Sequence, residues 1–219
     1  MKAMILAAGR GERMYPLTLK TPKPMLPVAG QPLIERQLKQ LSQAGVREVI
    51  INLHHLGHVI SDALGDGSQF GLNITYSVEE NLLETGGGIV NALPLLGDDP
   101  FIILNGDIYS DFDFASLPQT LKPNALTHLV LTPKPAYRTS GDFNFDKGLV
   151  TSRGNAFIYT GIAVCDPKLF KNQSIVPFSW MQLVFPATAL GQVSGQVFQG
   201  KWADIGLPAQ YQALNQLGG

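Results

Sequence analysis

Two cations and a glycine-rich turn stand close together near the start of the chain. Ala7-Ala8-Gly9-Arg10-Gly11-Glu12-Arg13-Met14 follows directly on an apolar run, and Lys23 lies a little further on in Thr21-Pro22-Lys23-Pro24. Small residues and glycines let the backbone approach a ligand and aim successive N–H groups at an anion. Arginine adds a bidentate fork and lysine a point charge, here stiffened by two prolines, so the group suits a triphosphate. Gly9 and Gly11 alone also read as a plain turn, and Arg13 and Lys23 alone as solvated surface residues. Taken together they favour phosphate binding. The dinucleotide fingerprint is broken, with Met14 at its third glycine, and the Gly-Lys-Ser/Thr of a P-loop is absent.

Two isolated carboxylates could hold a hard cation. Asp107 follows Asn105-Gly106 at the end of an apolar strand, and Asp204 sits in Trp202-Ala203-Asp204-Ile205-Gly206. Magnesium takes oxygen ligands, commonly one or two carboxylates plus phosphates and water. A turn-forming Asp107 and a helix-capping Asp204 explain the same residues structurally. Glu84-Thr85-Gly86-Gly87-Gly88 leads into a helix, and its glycines permit close backbone approach to a flat ring or serve simply as a turn. Glu79 or Glu80 could assist there, or face solvent. His54, His55 and His58 lie near a helix start without a cysteine or carboxylate at zinc-ligand spacing, and Cys165 reads as a small buried apolar residue.

Composition narrows the function classes. The chain has 219 residues, 45% hydrophobic and 15% charged, which excludes an intrinsically disordered chain and predicts one domain. Sixteen basic against seventeen acidic residues give a net charge of −1, without the basic excess expected of a duplex nucleic-acid binder. One cysteine excludes a disulfide framework. No apolar run approaches the ~18 residues of a membrane span, and the start is too short for a signal peptide, so the expectation is a cytoplasmic protein without membrane partners. The 23 glycines and 15 prolines predict many tight loops.

The combination Leu6-Ala7-Ala8-Gly9-Arg10-Gly11-Glu12-Arg13-Met14, Pro16-Leu17-Thr18 and Pro22-Lys23-Pro24-Met25-Leu26-Pro27-Val28 resembles the signature of the sugar-1-phosphate nucleotidylyltransferases. The resemblance covers essentially the whole chain and is densest in residues 1–35 and 83–110. It implies that Ala8, Gly9, Gly11, Glu12, Arg13 and Lys23 bind a nucleoside triphosphate, with Glu79, Gly86 and Gly87 at the base. It implies a metal-binding Asp107 and, from the Trp-x-Asp-x-Gly context, a metal-binding Asp204, hence magnesium as cofactor. For the sugar it points to Asn105, to Gly141 and Asp142 in Ser140-Gly141-Asp142-Phe143, and to Thr160 and Gly161 in Tyr159-Thr160-Gly161-Ile162. The chain departs from the family where a hexose-contacting glutamate has no match in Val150 to Ala156, and where Gly206 is followed by Leu207 instead of Thr. Leu83-Glu84-Thr85-Gly86-Gly87-Gly88 is similar to the segment found in the branch that uridylylates N-acetylmuramate 1-phosphate, which implies UTP and that sugar phosphate as substrates in cell-wall sugar recycling.

The implied reaction needs no general base, because the attacking phosphate oxygen is already an anion. Its absence is expected, and catalysis rests on positioning and charge neutralisation. Arg13 and the loop N–H groups are then expected to hold the outer phosphates, and Lys23 to bridge the α-phosphate and the sugar phosphate. Guanylyl or thymidylyl transfer to a hexose 1-phosphate is the alternative within the class. A nicotinamide-dependent oxidoreductase or a nucleotide-sensing module is the alternative outside it.

These residues must be positioned by repeated strand–helix units. Short apolar runs predict buried strands at Ala3–Leu6, Val49–Ile51, Ile74–Tyr76 and Phe101–Leu104. Helical spacing predicts helices opening at Pro32 and ended by Gly45, over Leu56–Leu64 with Gly65 as a left-handed cap, and over Ile89–Leu96. The fold class expected is α/β, a Rossmann-like mostly parallel sheet with helices on both faces. Further strands at His128–Thr132, Phe143–Phe145, Phe157–Val164 and Gln196–Phe198, then a helix from Pro208 to Leu217, extend it. Residues 1–112 form the nucleotide-binding half of a single domain and 113–219 the sugar-binding half. Pro177 and Pro186 break up any helical reading of 174–191.

Overall fold

The computed structural model describes residues 1–217. In the first half, β1 (Ala3–Leu6) is followed by the hairpin β2 (Pro27–Val28) and β3 (Gln31–Pro32). Next come α1 (Leu33–Gln43), β4 (Glu48–Leu53), α2 (Gly57–Leu64), β5 (Asn73–Val78), α3 (Glu84–Leu96), β6 (Phe101–Asn105) and β7 (Ile108–Ser110). The second half comprises β8 (Thr127–Pro133), β9 (Phe143–Asp146), β10 (Leu149–Arg153), β11 (Phe157–Cys165), α4 (Met181–Ala189), β12 (Val193–Val197), β13 (Trp202–Asp204) and α5 (Pro208–Leu217).

One nine-stranded sheet, in the order β5-β4-β1-β6-β11-β8-β12-β10-β9, runs through both halves. β5, β4, β1 and β6 pair in parallel, β11 joins β6 antiparallel, and β12 lies parallel to β8, so the sheet is mixed. Strand residues alternate between faces. Ile5, Ile51, Ile102 and Leu104 meet Ile34 and Leu38 of α1 and Ile60 and Leu64 of α2 on one face. Met4, Ile50, Phe101 and Ile103 meet Ile89 of α3 and Val184 of α4 on the other. The chain thus leaves β1 toward one face and reaches the adjacent β6 from the opposite face. The loops after these two strands diverge, and ligands bind in such a crevice in open α/β sheets.

Several element boundaries differ from the sequence expectation. Pro32 is the N-cap of α1, one residue outside the helix, and Gly65 has φ 55° but ψ −136°, outside the left-handed helical well. α3 begins at Glu84, five residues before Ile89, so the three glycines lie inside its first turns. Glycine's low helix propensity hid this turn, which tertiary contacts hold. α4 forms despite Pro186, whose side chain is exposed while Val184, Ala187 and Thr188 are buried beneath it. β10 was not anticipated, and β12 lies three residues earlier than Gln196 at its start. The last residues return to the first half. β13 pairs antiparallel with β7, and Ile205 and Leu214 pack with Met14, Leu26, Val28 and Leu33 in a small third core.

Candidate active site

The loop after β1 is held open by its neighbours. Ala7 N–H donates to the Asn52 side-chain oxygen at 2.8 Å, and Thr18 Oγ1 donates to Gly11 O at 2.7 Å. Gly11 takes φ +65°, and a Cβ there would press on buried Thr18 at 3.1 Å. Gly9 is exposed and has nothing within 4 Å of where a Cβ would lie. The loop backbone therefore faces free space, which is the requirement for close approach by a phosphate.

That space is a crevice of about 380 Å³ between the loops of β1 and β6. Its walls include Ala8, Gly9, Gly11, Lys23, Asn105 and Asp107, together with Asn52, Glu84, Thr85 and Ser179. A broader depression of about 830 Å³ lies at the opposite end of the central strands, near Met1, Pro100 and Leu126 where β1, β6 and β8 begin, remote from these residues.

Asp107 occupies a two-residue turn between β6 and β7. Gly106 N–H donates to Leu6 O at 3.0 Å, and a Cβ on Gly106 would meet that oxygen at 2.9 Å, so the turn lies directly against the end of β1. Lys23, fixed between Pro22 and buried Pro24, places Nζ 2.9 Å from Asp107 Oδ2, with only 12% of its side chain exposed. Asp204 is opposite Ile108 in the β7–β13 register, and Ile205 N–H donates to Asp107 O at 3.0 Å. The two candidate metal ligands are thus brought to neighbouring backbone positions. Asp204 Oδ2 accepts from Arg138 at 2.7 Å, and its Oδ1 is buried with no hydrogen-bond partner. An unpartnered buried carboxylate oxygen is costly, and it fits a site for a hard cation that prefers oxygen ligands.

Asp204 itself does not line the crevice, and several other expected residues also fall outside its wall. Glu12 and Arg13 lie on the 3-10 turn after the loop. Both are exposed; Arg10 approaches Glu12 at 3.6 Å, and the Arg13 guanidinium lies near Gly206. Glu79 is 3% exposed and engaged internally, accepting from Asn52 Nδ2 at 2.7 Å and from Leu83 N–H at 3.0 Å. Gly86 and Gly87 are covered by the chain itself, by the Phe178 ring and the Val176 carbonyl, and Gly86 N–H donates to Phe178 O at 2.7 Å. On the sugar side, Gly161 takes φ +86° against the Asn105 side chain, and Asp142 Oδ2 accepts from Tyr159 N–H at 2.9 Å. Gly141 N–H is bonded to Asn155, and the fully buried Thr160 hydroxyl donates to Val130 O at 2.8 Å.

Two polar wall residues, Asn52 and Ser179, lie outside the motifs that the sequence singles out. Asn52 is a buried amide at the end of an apolar strand, a signal that was available to be read. Ser179 carried none, whereas Glu84 and Thr85 belong to the Glu84–Gly88 segment already singled out in the sequence, and both line the crevice. Glu84, a non-glycine residue with φ +56° at the start of α3, stands in an uncommon backbone conformation.

The nucleotidyl transferase family profile matches residues 2–143. Over its full length the chain is 43% identical to an N-acetylmuramate alpha-1-phosphate uridylyltransferase of Neisseria meningitidis, spanning 99% of that protein. It is 32% identical over 96% of its length to a mannose-1-phosphate guanyltransferase of Aspergillus fumigatus, of which it spans 62%. A UDP-glucose pyrophosphorylase solved with UDP-glucose shares the fold at TM-score 0.80 and 18% identity, with 99% of this chain and 97% of that one covered. A full-length match of this kind, on a chain whose loop, lysine and aspartate meet in one crevice, makes this protein a member of the nucleotidyl transferase family, of the kind that acts on sugar 1-phosphates.

Proposed function

We propose that this enzyme transfers the uridylyl group of UTP to N-acetylmuramate 1-phosphate, giving the UDP-sugar and pyrophosphate. The observation that carries the reading is the Lys23–Asp107 pair, set at the crevice that the β1 loop lines. The full-length likeness to the Neisseria uridylyltransferase supports the choice of base and sugar. A sugar-phosphate oxygen forms a bond to the α-phosphorus of UTP, the bond from that phosphorus to the β-phosphate bridge breaks, and pyrophosphate leaves with the electron pair. The nucleophile is already anionic, so the chain has to bring two anions together and neutralise them.

The loop N–H groups of residues 8–11 receive the triphosphate, exposed Arg13 meets its outer phosphates, and Lys23 stands between the α-phosphate and the incoming sugar phosphate. Asp107 and Asp204 would hold magnesium, which supplies positive charge to the phosphates when bound. Asn52, fixed by Glu79, orients the loop through Ala7. Asn105 and Gly161 bound the sugar end. Such a reaction belongs to cytoplasmic recycling of cell-wall sugars.

The test is pyrophosphate release with magnesium, for UTP, GTP, CTP and dTTP against N-acetylmuramate, N-acetylglucosamine, glucose and mannose 1-phosphates. The highest kcat/KM is expected for UTP with N-acetylmuramate 1-phosphate. A preference for GTP and mannose 1-phosphate would move the enzyme to the guanylyltransferase branch of its relatives.

A further inference from the structure

Gln37 is a polar residue on the buried face of α1, 3% exposed, that no step above uses. Its Nε2 donates to Asn105 O at 2.9 Å and to Ile108 O at 3.0 Å. These are the carbonyls on either side of Gly106-Asp107, so one amide group closes the base of the turn that carries Asp107. Its own Oε1 is buried without a partner. A buried amide kept with one unpaired acceptor calls for an explanation, since an unmade hydrogen bond is a net cost. One turn along the same helix, Gln40 Nε2 donates to Ser110 O at 2.9 Å, beyond the turn.

We propose that Gln37 is a positioning residue for the reaction: it fixes the Asp107 turn so that the carboxylate meets the metal in one geometry. The inference rests on the reading of Asp107 as a metal ligand given above. Groups that orient a metal ligand without touching the metal commonly change affinity by about 10–100-fold when removed. Gln37→Leu keeps the bulk and removes both donors. Gln37→Asn keeps the amide but withdraws it by one methylene, about 1.5 Å, beyond reach of both carbonyls. Gln40→Leu removes a comparable bond from the same helix off the turn.

The experiment uses the full chain with two readouts besides melting temperature. One is the magnesium concentration giving half-maximal pyrophosphate release. The other is Mn2+ binding to the UTP-bound protein without sugar phosphate, followed by electron paramagnetic resonance. Gln37→Leu and Gln37→Asn are expected to raise both midpoints about tenfold. Gln40→Leu should lower the melting temperature and leave both midpoints in place, and Asp107→Asn serves as reference. Wild-type midpoints in Gln37→Asn, with Asp107→Asn shifted, would reduce Gln37 to a structural residue, and this holds even where Gln37→Leu does not fold. Unshifted midpoints in Asp107→Asn would instead overturn the metal reading itself.

Discussion

Lys23 and Asp107 neutralise each other at 2.9 Å, and on the proposed reading that pair opens or is shared when phosphates enter. A lysine held between two prolines loses little entropy on meeting the transferring phosphate, so its effect should fall on turnover. Lys23→Ala is expected to lower kcat by about 10²-fold, the scale of one preorganised electrostatic contact, with a smaller change in KM. Steady-state kinetics of pyrophosphate release checks this, and a raised KM at normal kcat would assign Lys23 to binding alone. A second residue-level expectation concerns pH. His128 is buried between Ser194 and Gln196, at 3.0 and 3.1 Å, where it joins β8 to β12. Burial lowers its pKa, outweighing the opposing hydrogen bond to Gln196, and Lys122 lowers it further. The unfolded chain then binds the proton more readily than the folded one, so this contribution is present above about pH 6.5 and is lost as pH falls through the lower folded value. Denaturant melts between pH 7 and 5 should show a steeper acid loss for wild type than for His128→Gln.

At the scale of elements, the glycines of α3 serve the meeting of the two halves. Gly86, Gly87 and Gly88 are buried, and Cβ atoms on them would run into Phe178, the Val176 carbonyl, and Glu79 with Asn52. Trp180 N–H also donates to Thr85 Oγ1 at 3.2 Å, so the segment before α4 is docked on the first turn of α3 and brings Ser179 into the crevice wall. Alanine is the better helix former by about 1 kcal/mol. Overpacking against a backbone carbonyl costs typically about 1–3 kcal/mol and cannot be relieved by a side-chain rotation. The clash wins. Gly87→Ala should therefore lower stability by about 1 kcal/mol or more and raise KM for the nucleotide as the wall recedes, measured by urea melts and initial rates.

Across the whole molecule, the chain's last helix braces its first loop. Tyr211 OH donates to Pro27 O at 2.8 Å, and Leu214 joins Met14 and Leu26 in the third core, bracketing the stretch that holds Lys23. Emptying a core site from leucine to alanine costs roughly 2–5 kcal/mol, and about 2 kcal/mol suits this small, half-open cluster. Leu214→Ala is expected to lower the melting temperature and to raise KM for UTP. Unaltered kinetics with lowered stability would show that the loop is held without α5.

Local chemistry was legible because it is written in consecutive residues. The loop from Ala7 to Met14, Lys23 between its prolines, and Asp107 at the end of a strand could be read directly, and buried parallel strands announce themselves as apolar runs. The placement of Asp204 beside Asp107 depends on a pairing between β7 and β13 that residue spacing cannot express. Glu79 and the α3 glycines show the same limit: their types suited a ligand, yet the nearest atoms proved to be Asn52, Phe178 and Val176 from distant segments. Gln37 looked like any polar residue on an amphipathic helix. Only packing decided that its amide points inward to the Asp107 turn, because a hydrogen bond depends on separation in space and the chain encodes only separation along itself.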